Sequence, residues 1–478
     1  MTVVSSEEKP GILLEATDER ETDDVKHEIK FKYTIGKINS DLTVGTDLND
    51  LIRLIANRGL ACPGVQLSGQ GFVLSPEEVN LFSKKTRKEL IRSYLTGRDL
   101  TQVKRIQFVI DTLALSQEHL RDEYPDAYQW IMERVKPERD QSSQIEYAKN
   151  WWLHSKPRPK FRETFTNLRK FIATSRTARH RVFQFLPSDT LPETKVLILS
   201  SDDAMFLGVI SSQIHVIFAN AVGGWLGVGN DSTYNHSRCF DCFPFPDPTP
   251  EQKQKIRELG DRLDSHRKQV QAAHPDITIT GMYNLLEKLR AGEPFTDIDR
   301  AYNNRALVST LKQIHDDLDT AVFAAYGWQD LAGKHHPEIT ETILERLVAL
   351  NAERAAEERN GHIRWLRPEY QAPEQVQATQ TTLAGIDDPA ETAATPVEQQ
   401  KWSNQPKDQL AAVRDLLRSS SGAWTVVQIA NQFTGKNTQK KLEAIGENLD
   451  RLEWFGLLVK RDESGITYWQ YAELQQTA

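Results

Sequence analysis

The segment FPFPDPTP, residues 243–250, divides the sequence into two parts of different character. Every second residue in it is proline, which ends helices and interrupts strand ladders. Before it, residues 187–242 mix short apolar runs with Gly- and Pro-containing loops, a pattern typical of strands around one helix. After it, residues 251–273 place Ile256, Leu259 and Leu263 at helical spacing. The sequence therefore predicts an α+β chain, with a mixed α/β part followed by a helical part.

Helical periodicity continues after the proline-rich segment, at residues 282–289, 301–326 and 339–359. We therefore predict a helical domain of three or four long helices, which extends over residues 251–372. Residues 373–405 are rich in Ala, Thr, Gln and Pro, a composition that is typical of a linker.

The last part of the chain, residues 406–478, predicts a small winged-helix domain. Its pattern gives helices at 408–418, 426–433 and 438–455, then strands at 457–460 and 466–471. Lys436 and Lys440 lie at the start of the third helix, where such helices contact a DNA groove. Because Glu443 and Glu447 follow on the same helix, the pattern favours DNA binding and protein binding equally.

The first part of the chain contains one predicted strand and one long apolar stretch. Residues 28–35 alternate between apolar and polar side chains, as a strand does. Residues 204–229 are long enough to span a bilayer, but Gln213, His215 and Asn220 interrupt them. We therefore expect a buried strand at 206–210 and an apolar helix from about residue 212, with no membrane segment and no secretory signal.

Length and composition limit the class of protein. The 478 residues are too many for one ordinary domain, and 39% hydrophobic residues suffice for buried cores. A formal net charge of −8 excludes a uniformly basic DNA-coating protein, although not a local basic face. Three cysteines exclude a disulfide framework and indicate a reducing, cytoplasmic compartment.

Common catalytic and cofactor motifs are missing from the sequence. It has no phosphate-binding P-loop, no complete G-x-G-x-x-G and no G-x-S-x-G. Cys239 and Cys242 have the C-x2-C spacing of a zinc site, but a second ligand pair is lacking, so an apolar turn is the better interpretation. Glu193-Thr-Lys195 has no nearby Pro-Asp and does not predict a nuclease. We assign no catalytic, cofactor or metal residues.

A basic stripe at residues 133–181 is the strongest physical signal. It contains thirteen basic and five acidic residues, a local charge of +8 in an acidic chain, and aromatic residues such as Trp151 and Phe161 are interleaved. This composition is typical of a nucleic-acid-binding surface. It is also consistent with a solvated surface on which arginine stems cover tryptophan rings.

Seven collinear segments between residues 36 and 371 resemble the MmeI-like class I S-adenosylmethionine-dependent adenine-N6 DNA methyltransferases of type IIG/IIL restriction-modification systems. The segments are GKINSDLTVGTDL (36–48), RSYLTGRDLTQ (92–102), YQWIMERVKPERDQ (128–141), RHRVFQFLP (179–187), LGVISSQIHVIFANAVGGWLGVGNDSTYNHSRCFDCFPFP (207–246), ALVSTLKQIHDDLDTAVFAAYGW (306–328) and ERLVALNAERAAEERNGHIRWLRPEYQ (345–371). The resemblance is to the part of these enzymes that follows their catalytic domain.

The resemblance implies a domain order. Residues 1–46 would be the end of a methyltransferase domain, residues 47–250 a DNA target-recognition domain, and residues 251–372 the helical domain. The sequence departs from the family where catalysis is concerned. It has no Pro-Pro pair, so it lacks the N-P-P-Y motif that holds a flipped adenine, and it lacks the Gly-rich loop for S-adenosylmethionine. The resemblance therefore implies DNA recognition by this chain, and it does not imply catalysis.

DNA contacts are expected from charged and polar residues of the matching motifs and of the basic stripe. The matching motifs supply Arg98, Lys136, Arg139, Arg179, Arg181, Asn230, Tyr234, Asn235 and Arg238, and the stripe adds Lys156, Arg158 and Lys160 as phosphate contacts. Arginine is suited to guanine and asparagine to adenine. For Asn230, Asp99 and Asp231, loop capping is an equally good interpretation.

The leading hypothesis is a DNA sequence-recognition component of an adenine-specific restriction-modification or phage-defence system. It would position double-stranded DNA for a methyltransferase supplied by a separate partner chain, which would bind S-adenosylmethionine. Two alternatives stay open: a truncated or split methyltransferase that is inactive alone, and a protein-binding adaptor with secondary DNA binding.

Overall fold

The fold of the chain is given by a computed structural model. It describes residues 11–22, 26–36, 44–165, 167–226, 231–334, 336, 338–373, 400–402, 406–419, 424–434, 438–454, 457–463 and 466–471. The chain divides into two compact units, residues 1–382 and 383–478. Both contain helices and strands, which confirms the α+β class.

An antiparallel hairpin stands at the start of the described chain. Strand β1 (Gly11–Thr22) pairs with β2 (Lys26–Gly36), which confirms the strand predicted at 28–35. Directly opposed residues of such a pair lie on the same face. The pairs on one face are Ile12 with Ile35, Leu14 with Tyr33, and Ala16 with Phe31. The five large side chains of this set are 52–69% exposed, so they form an apolar surface, here named the ribbon face.

Residues 47–250, predicted as the recognition domain and here named the recognition part, contain three small sheets. Their strands are β3 (Ala61–Pro63), β4 (Val73–Leu74), β5 (Ile91–Leu95), β6 (Gln107–Ile110), β7 (Lys170–Ser175), β8 (Thr177–Ala178), β9 (Gln184–Pro187), β10 (Thr190–Pro192), β11 (Val196–Leu199), β12 (Trp225–Leu226) and β13 (Asp231–Thr233). The strand orders are β10-β5-β6-β4, β3-β11-β7-β9 and β12-β13-β8. All of these pairings are antiparallel except that of β10 with β5.

Short helices surround these sheets. They are α1 (Pro76–Val79), α2 (Lys84–Glu89), α3 (Gly97–Thr101), α4 (Gln117–Glu123), α5 (Pro125–Arg134), α6 (Lys136–Asp140), α7 (Ile145–Lys149), α8 (Pro159–Glu163), α9 (Ala204–Ser211) and α10 (Gln213–Gly223). The strand predicted at 206–210 is wrong, because this segment belongs to α9. The Asp203 carboxylate accepts the Met205 N–H and caps the helix start. Because the helix is buried on nearly every side, its sequence lacks the repeat of apolar and polar residues that identifies a helix.

The described residues contain no single helix that is both long enough and apolar enough to cross a membrane. Helices α9 and α10 meet the length and composition criteria only when they are taken together, and they are bent by 64° with respect to each other.

The helical part confirms the periodicity after the proline-rich segment. Its helices are α11 (Pro250–Ala273), α12 (Ile279–Arg290), α13 (Asp297–Ala306), α14 (Val308–Tyr326), α15 (Thr340–Arg359) and α16 (Pro368–Gln371). Thr249 and Gln252 form a reciprocal capping box that starts α11. The helix predicted at 301–326 is two helices, because Leu307 between them has φ +50°, in the left-handed region.

One hydrophobic core joins the recognition part to the helical part. It includes Phe183 and Phe218 from the first part and Ile256 and Leu318 from the second. At residue 250 the secondary structure therefore changes from mixed to helical, but both parts belong to one compact unit. The domain limits at residues 250 and 372 stay predictions.

Buried polar side chains of the helical part also hold the strands in place. The Arg267 guanidinium donates to the Phe183 carbonyl (2.7 Å), and the Asp264 carboxylate accepts the Phe185 N–H (3.1 Å). Arg367 Nη1 donates to the carbonyl of Ser200 at 2.8 Å. These bonds fix the sheet β3-β11-β7-β9 to the helices on which it packs.

Asp319, on α14, is a buried carboxyl that makes stability depend on pH. Its Oδ1 accepts the Gln213 N–H at 2.8 Å, and burial raises its pKa to about 7. Because the unfolded carboxyl ionises near pH 4, stability falls between about pH 4 and pH 7 and stays low above that range. Asp319→Asn keeps an acceptor for Gln213 and removes the ionisation. We expect the free energy of unfolding of the wild type, measured with urea, to fall by about 3 kcal/mol relative to that of the variant between pH 5 and pH 8. If the free energies of unfolding of wild type and variant changed in the same way with pH, the assignment of this pH dependence to Asp319 would be contradicted.

The second compact unit has the element order on which the winged-helix prediction rests. Its elements are β14 (Gln400–Lys401), α17 (Pro406–Ser419), α18 (Val426–Ala430), β15 (Phe433–Thr434), α19 (Gln439–Trp454), β16 (Leu458–Glu463) and β17 (Ile466–Tyr471). Its core contains Leu417, Ile445, Leu449 and Trp469. The helix predicted at 426–433 ends at Ala430, because Phe433 pairs with β14. The winged-helix assignment itself stays a prediction.

Candidate nucleic-acid interface

Backbone pairing brings basic residues from distant parts of the sequence onto one surface. The Gln66 N–H donates to the Lys156 carbonyl at 3.2 Å, and Val65 N–H donates to the Pro192 carbonyl at 2.9 Å. The Arg176 N–H donates to the Lys195 carbonyl at 2.8 Å. The segments that carry Lys156, Lys195 and Arg176 are therefore neighbours in space.

Three arginines lie close enough to His236, in the π-helical turn His236–Phe240, for their charges to act on its imidazole. Burial lowers the pKa of His236, and the positive charges of Arg176, Arg53 and Arg158 act in the same direction. Arg53 and Arg176 are exposed and Arg158 is half-buried. Guanidinium groups that act together on one site form a local positive surface that an anion can approach.

A cleft of about 410 Å³ lies beside Arg176, because the flanking residues Ser175 and Thr177 line it. Arg98, Arg179 and Lys195 line it, together with the exposed carboxylate of Asp231. Arg179 is paired with Glu287 only at 3.8 Å, and its side chain is 58% exposed. We name the combined set the basic face. Its members are Arg53, Arg98, Arg158, Arg176, Arg179 and Lys195.

The remaining exposed candidates have mixed roles. Lys156 and Lys160 are exposed on the segment that also carries Arg158. Lys136 forms an ion pair at 2.6 Å with Asp140, one helical turn further along the chain. These positions add charge near the basic face or pair locally, but they do not line its cleft.

Local hydrogen bonds account for the polar loop candidates. The side-chain oxygen of Asn235 accepts the Ser237 N–H. This bond caps the start of the π-helical turn. Asp99 accepts the Thr96 N–H at 2.7 Å and pairs with Arg105, so capping is the correct interpretation for Asp99. Arg238 is exposed, and its guanidinium donates to the Leu48 carbonyl at 3.4 Å.

Three predicted DNA contacts are interior residues, and their assignment is corrected. Arg139 is 2% exposed and donates to the Leu67 carbonyl at 2.6 Å. Arg181 is 6% exposed and donates to the Ser232 carbonyl at 2.7 Å. Tyr234 is 1% exposed, and its hydroxyl lies 3.0 Å from His215 Nε2. Their polar groups bind the protein itself, so they cannot reach a DNA duplex on this surface.

Some predicted contacts lie outside the described residues. Asn230 and Lys436 are among them, and the Lys440 side chain is not described either. The neighbouring Lys441 is buried, and its Nζ donates to the carbonyls of Ala430 and Phe433.

Sequence reasoning missed Arg53 and Lys195, and it counted Arg176 in the stripe without selecting it. Arg53 lies in no basic run and reaches this surface because Leu54 N–H donates to the Asp241 carbonyl at 2.8 Å. Lys195 belongs to the sequence Glu193-Thr-Lys195, which has the spacing of one element of a nuclease motif. The local sequence contains no signal for either position, since tertiary pairing places them.

The cysteine pair forms an apolar turn, as interpreted from the sequence. Cys239 and Cys242 are buried free thiols, and their sulfur atoms contact the carbonyls of Ala219 and Ser237. Burial raises the pKa of Cys239 to about 11, which disfavours the thiolate that binds metal. Within the part of the chain that the structure describes, no group of three or more His, Cys, Asp or Glu side chains could hold a metal ion.

The fold and the basic face define a mixed α/β module that carries a cationic surface and is joined to a helical bundle. Residues 63–247 match the family described as MmeI, target recognition domain. The predicted resemblance to the MmeI-like C-terminal half is thereby confirmed.

A solved structure of the Type IIL restriction-modification enzyme MmeI in complex with DNA has a similar fold. The TM-score is 0.50 and the sequence identity is 18%, over 71% of this chain and 42% of that chain. The present chain thus spans less than half the length of the protein it resembles. The comparison with curated proteins gave no match.

Proposed function

We propose that this chain recognises a DNA sequence for an adenine-N6 methyltransferase of a restriction-modification or phage-defence system. In this proposal it holds duplex DNA for a methyltransferase supplied by a partner chain. The observation that carries the proposal is the position of the basic face. Five of its six members, all except Arg53, lie within residues 63–247, the target recognition domain.

The electrostatics of the chain support this role. The chain carries a net charge of −8, so attraction of DNA requires a local cationic surface and cannot come from the overall charge. Exposed arginines contact both phosphates and guanine edges, and Asp231 in the same cleft could accept from cytosine N4. A cleft with donors and one acceptor is suited to reading a base pair.

The sequence motifs and the ribbon face support a separate catalytic partner. The Gly-rich loop and the Pro-Pro pair needed for methyl transfer to adenine are missing, so the residues present do not fit S-adenosylmethionine. The ribbon face exposes large apolar side chains on a two-stranded sheet, and contiguous apolar surface of this kind is typical of protein contacts. We therefore assign S-adenosylmethionine binding and methyl transfer to the partner.

The triple variant Arg158→Gln, Arg176→Gln, Lys195→Gln tests DNA binding. Each lost phosphate contact removes about one unit from the slope of log affinity against log salt. We expect the slope to fall by about three units and the affinity at physiological salt to fall about 100-fold. Fluorescence anisotropy with a labelled duplex at rising salt measures both quantities.

A matched control removes the same charge elsewhere. Lys85 and Arg121 pair with neighbouring acids and are exposed on short helices, and Lys255 is exposed on α11. The triple variant Lys85→Gln, Arg121→Gln, Lys255→Gln should keep the slope of the wild type within about one unit. If both triple variants lost the same DNA affinity and the same salt slope, binding would depend on net charge alone. This result would contradict the position of the interface at the basic face. A wild-type chain that binds duplex DNA without salt dependence would contradict the function.

A further inference from the structure

Two large apolar side chains are exposed on strand β12. Trp225 is 51% exposed and Leu226 is 52% exposed. They lie at the edge of the sheet β12-β13-β8, in which β12 is an outer strand. Consecutive residues of a strand point to opposite faces, so the two side chains project on both sides of this strand. We name this pair the apolar tip.

The apolar tip lies beside the basic face. Leu226 is paired with Asp231, which lines the cleft of the basic face, and directly opposed residues share a face of the sheet. Strand β13 pairs in turn with β8, which stands between Arg176 and Arg179 in the chain. Trp225 and Arg179 also line the same cavity. A molecule bound across the basic face therefore meets the apolar tip.

Backbone contacts fix the strand that carries the apolar tip. The Thr233 N–H donates to the Gly224 carbonyl at 2.9 Å, directly before the tip. A Cβ at Gly223 would stand 2.1 Å from the Thr233 carbonyl oxygen, so this segment is in close backbone contact with β13. The buried Arg181 donates to the Ser232 carbonyl at 2.7 Å and ties β13 to the interior. The tip is therefore positioned before a ligand binds, which lowers the entropic cost of a contact.

The surroundings of the apolar tip favour DNA as its ligand. An apolar protein surface placed over the tip would also cover the neighbouring guanidinium groups and remove them from water without a counter-charge. A DNA duplex presents phosphates to these cations and base rings to the apolar side chains. Proteins that bend DNA insert apolar side chains between adjacent base pairs in this way.

We propose that Trp225 and Leu226 press between two adjacent base pairs of the bound duplex and kink it, while every base stays paired inside the helix. Partial insertion separates the stacked base pairs on one side and bends the helix axis. The cost of this bend depends on the base step and is lowest at flexible pyrimidine–purine steps. The apolar tip thus gives the chain a preference for deformable sequences, in addition to contacts with base edges. The inference rests on the proposed DNA recognition and adds a contact to it.

The experiment measures the bend of a duplex that the wild-type chain has selected from a randomised library. The selected site is placed at the centre or at one end of duplexes of about 150 base pairs, and a bent complex migrates more slowly in a gel when the site is central. We expect a bend of about 20–90° with the wild type. The double variant Trp225→Ala, Leu226→Ala should lose the bend and bind about tenfold more weakly. Its salt slope should stay within about one unit of the wild type, because no charge is removed.

Two further double variants serve as controls. Trp225→Phe, Leu226→Met keeps large apolar side chains at the tip and should keep the bend. Leu81→Ala, Ile298→Ala removes side chains that are 69% and 82% exposed and line neither the cleft nor the cavity, and it should keep both bend and affinity.

Three results would count against the proposal. A straight wild-type complex, or a bend that survives in Trp225→Ala, Leu226→Ala, would overturn it. Unchanged affinity and bend in this variant would assign the apolar tip to a protein partner instead. If the wild type selected no duplex at all, the proposed function itself would be contradicted.

Discussion

Arg181→Gln is expected to destabilise the first compact unit by about 4 kcal/mol, although its position in a basic stripe suggests a DNA contact. Arg181 Nη2 donates to the carbonyl and hydroxyl oxygens of Ser232 at 2.7 Å and 2.9 Å, and Nη1 donates to the Ser175 carbonyl. The guanidinium therefore ties β7 to β13. The shorter glutamine leaves buried carbonyls without donors, and each costs about 1–3 kcal/mol. Urea unfolding followed by tryptophan fluorescence measures the loss.

The neighbouring Arg179→Gln is the matched comparison for this prediction. Arg179 is 58% exposed, so its replacement should change stability by no more than about 0.5 kcal/mol and weaken DNA binding several-fold. The two variants remove the same charge two positions apart. If both lowered DNA affinity and neither lowered stability, the interior position of Arg181 would be contradicted.

Helical periodicity predicted the second half of the first unit well. Residues such as Leu311, Ile314 and Leu318 repeat at helical spacing because α14 buries one face and exposes the other. The same method failed for residues 206–210, where α9 is buried on nearly every side. A short apolar run without a polar face does not distinguish a helix from a buried strand, so tertiary packing decided that segment.

The candidate interface was predictable as a region and not as a set of residues. A count of charges locates a basic stripe, but it does not separate the half-buried Arg158 from Arg139, which donates to a backbone carbonyl in the interior. Ion pairs also lower the effective charge, as Lys170 shows by its 3.2 Å contact with Asp261 on α11. Arg53 comes from a segment more than 100 residues away in the sequence from Arg158. Only the pairing of distant backbone segments could place these groups together.

Gly260→Ala is expected to destabilise the first compact unit by about 3 kcal/mol or more, because Gly260 lies where α11 crosses α9. A Cβ at this position would stand 2.2 Å from the Ala204 carbonyl oxygen and 3.1 Å from the Gly208 nitrogen. Both neighbours are backbone atoms of α9, so no side-chain rotation relieves the collision, and the helices must move apart. Alanine favours a helix over glycine by about 1 kcal/mol, which offsets only part of this cost.

Gly446→Ala in α19 separates the two effects. A Cβ there would meet no atom within 4 Å, so helix propensity alone acts and the second unit should gain up to about 1 kcal/mol. Thermal unfolding of both variants measures the change in stability, and limited proteolysis follows the two units separately. If Gly260→Ala gained stability as Gly446→Ala does, then α9 and α11 would not be in backbone contact. The packing of the recognition part on the helical part would then differ at this crossing, where Gly260 faces Ala204.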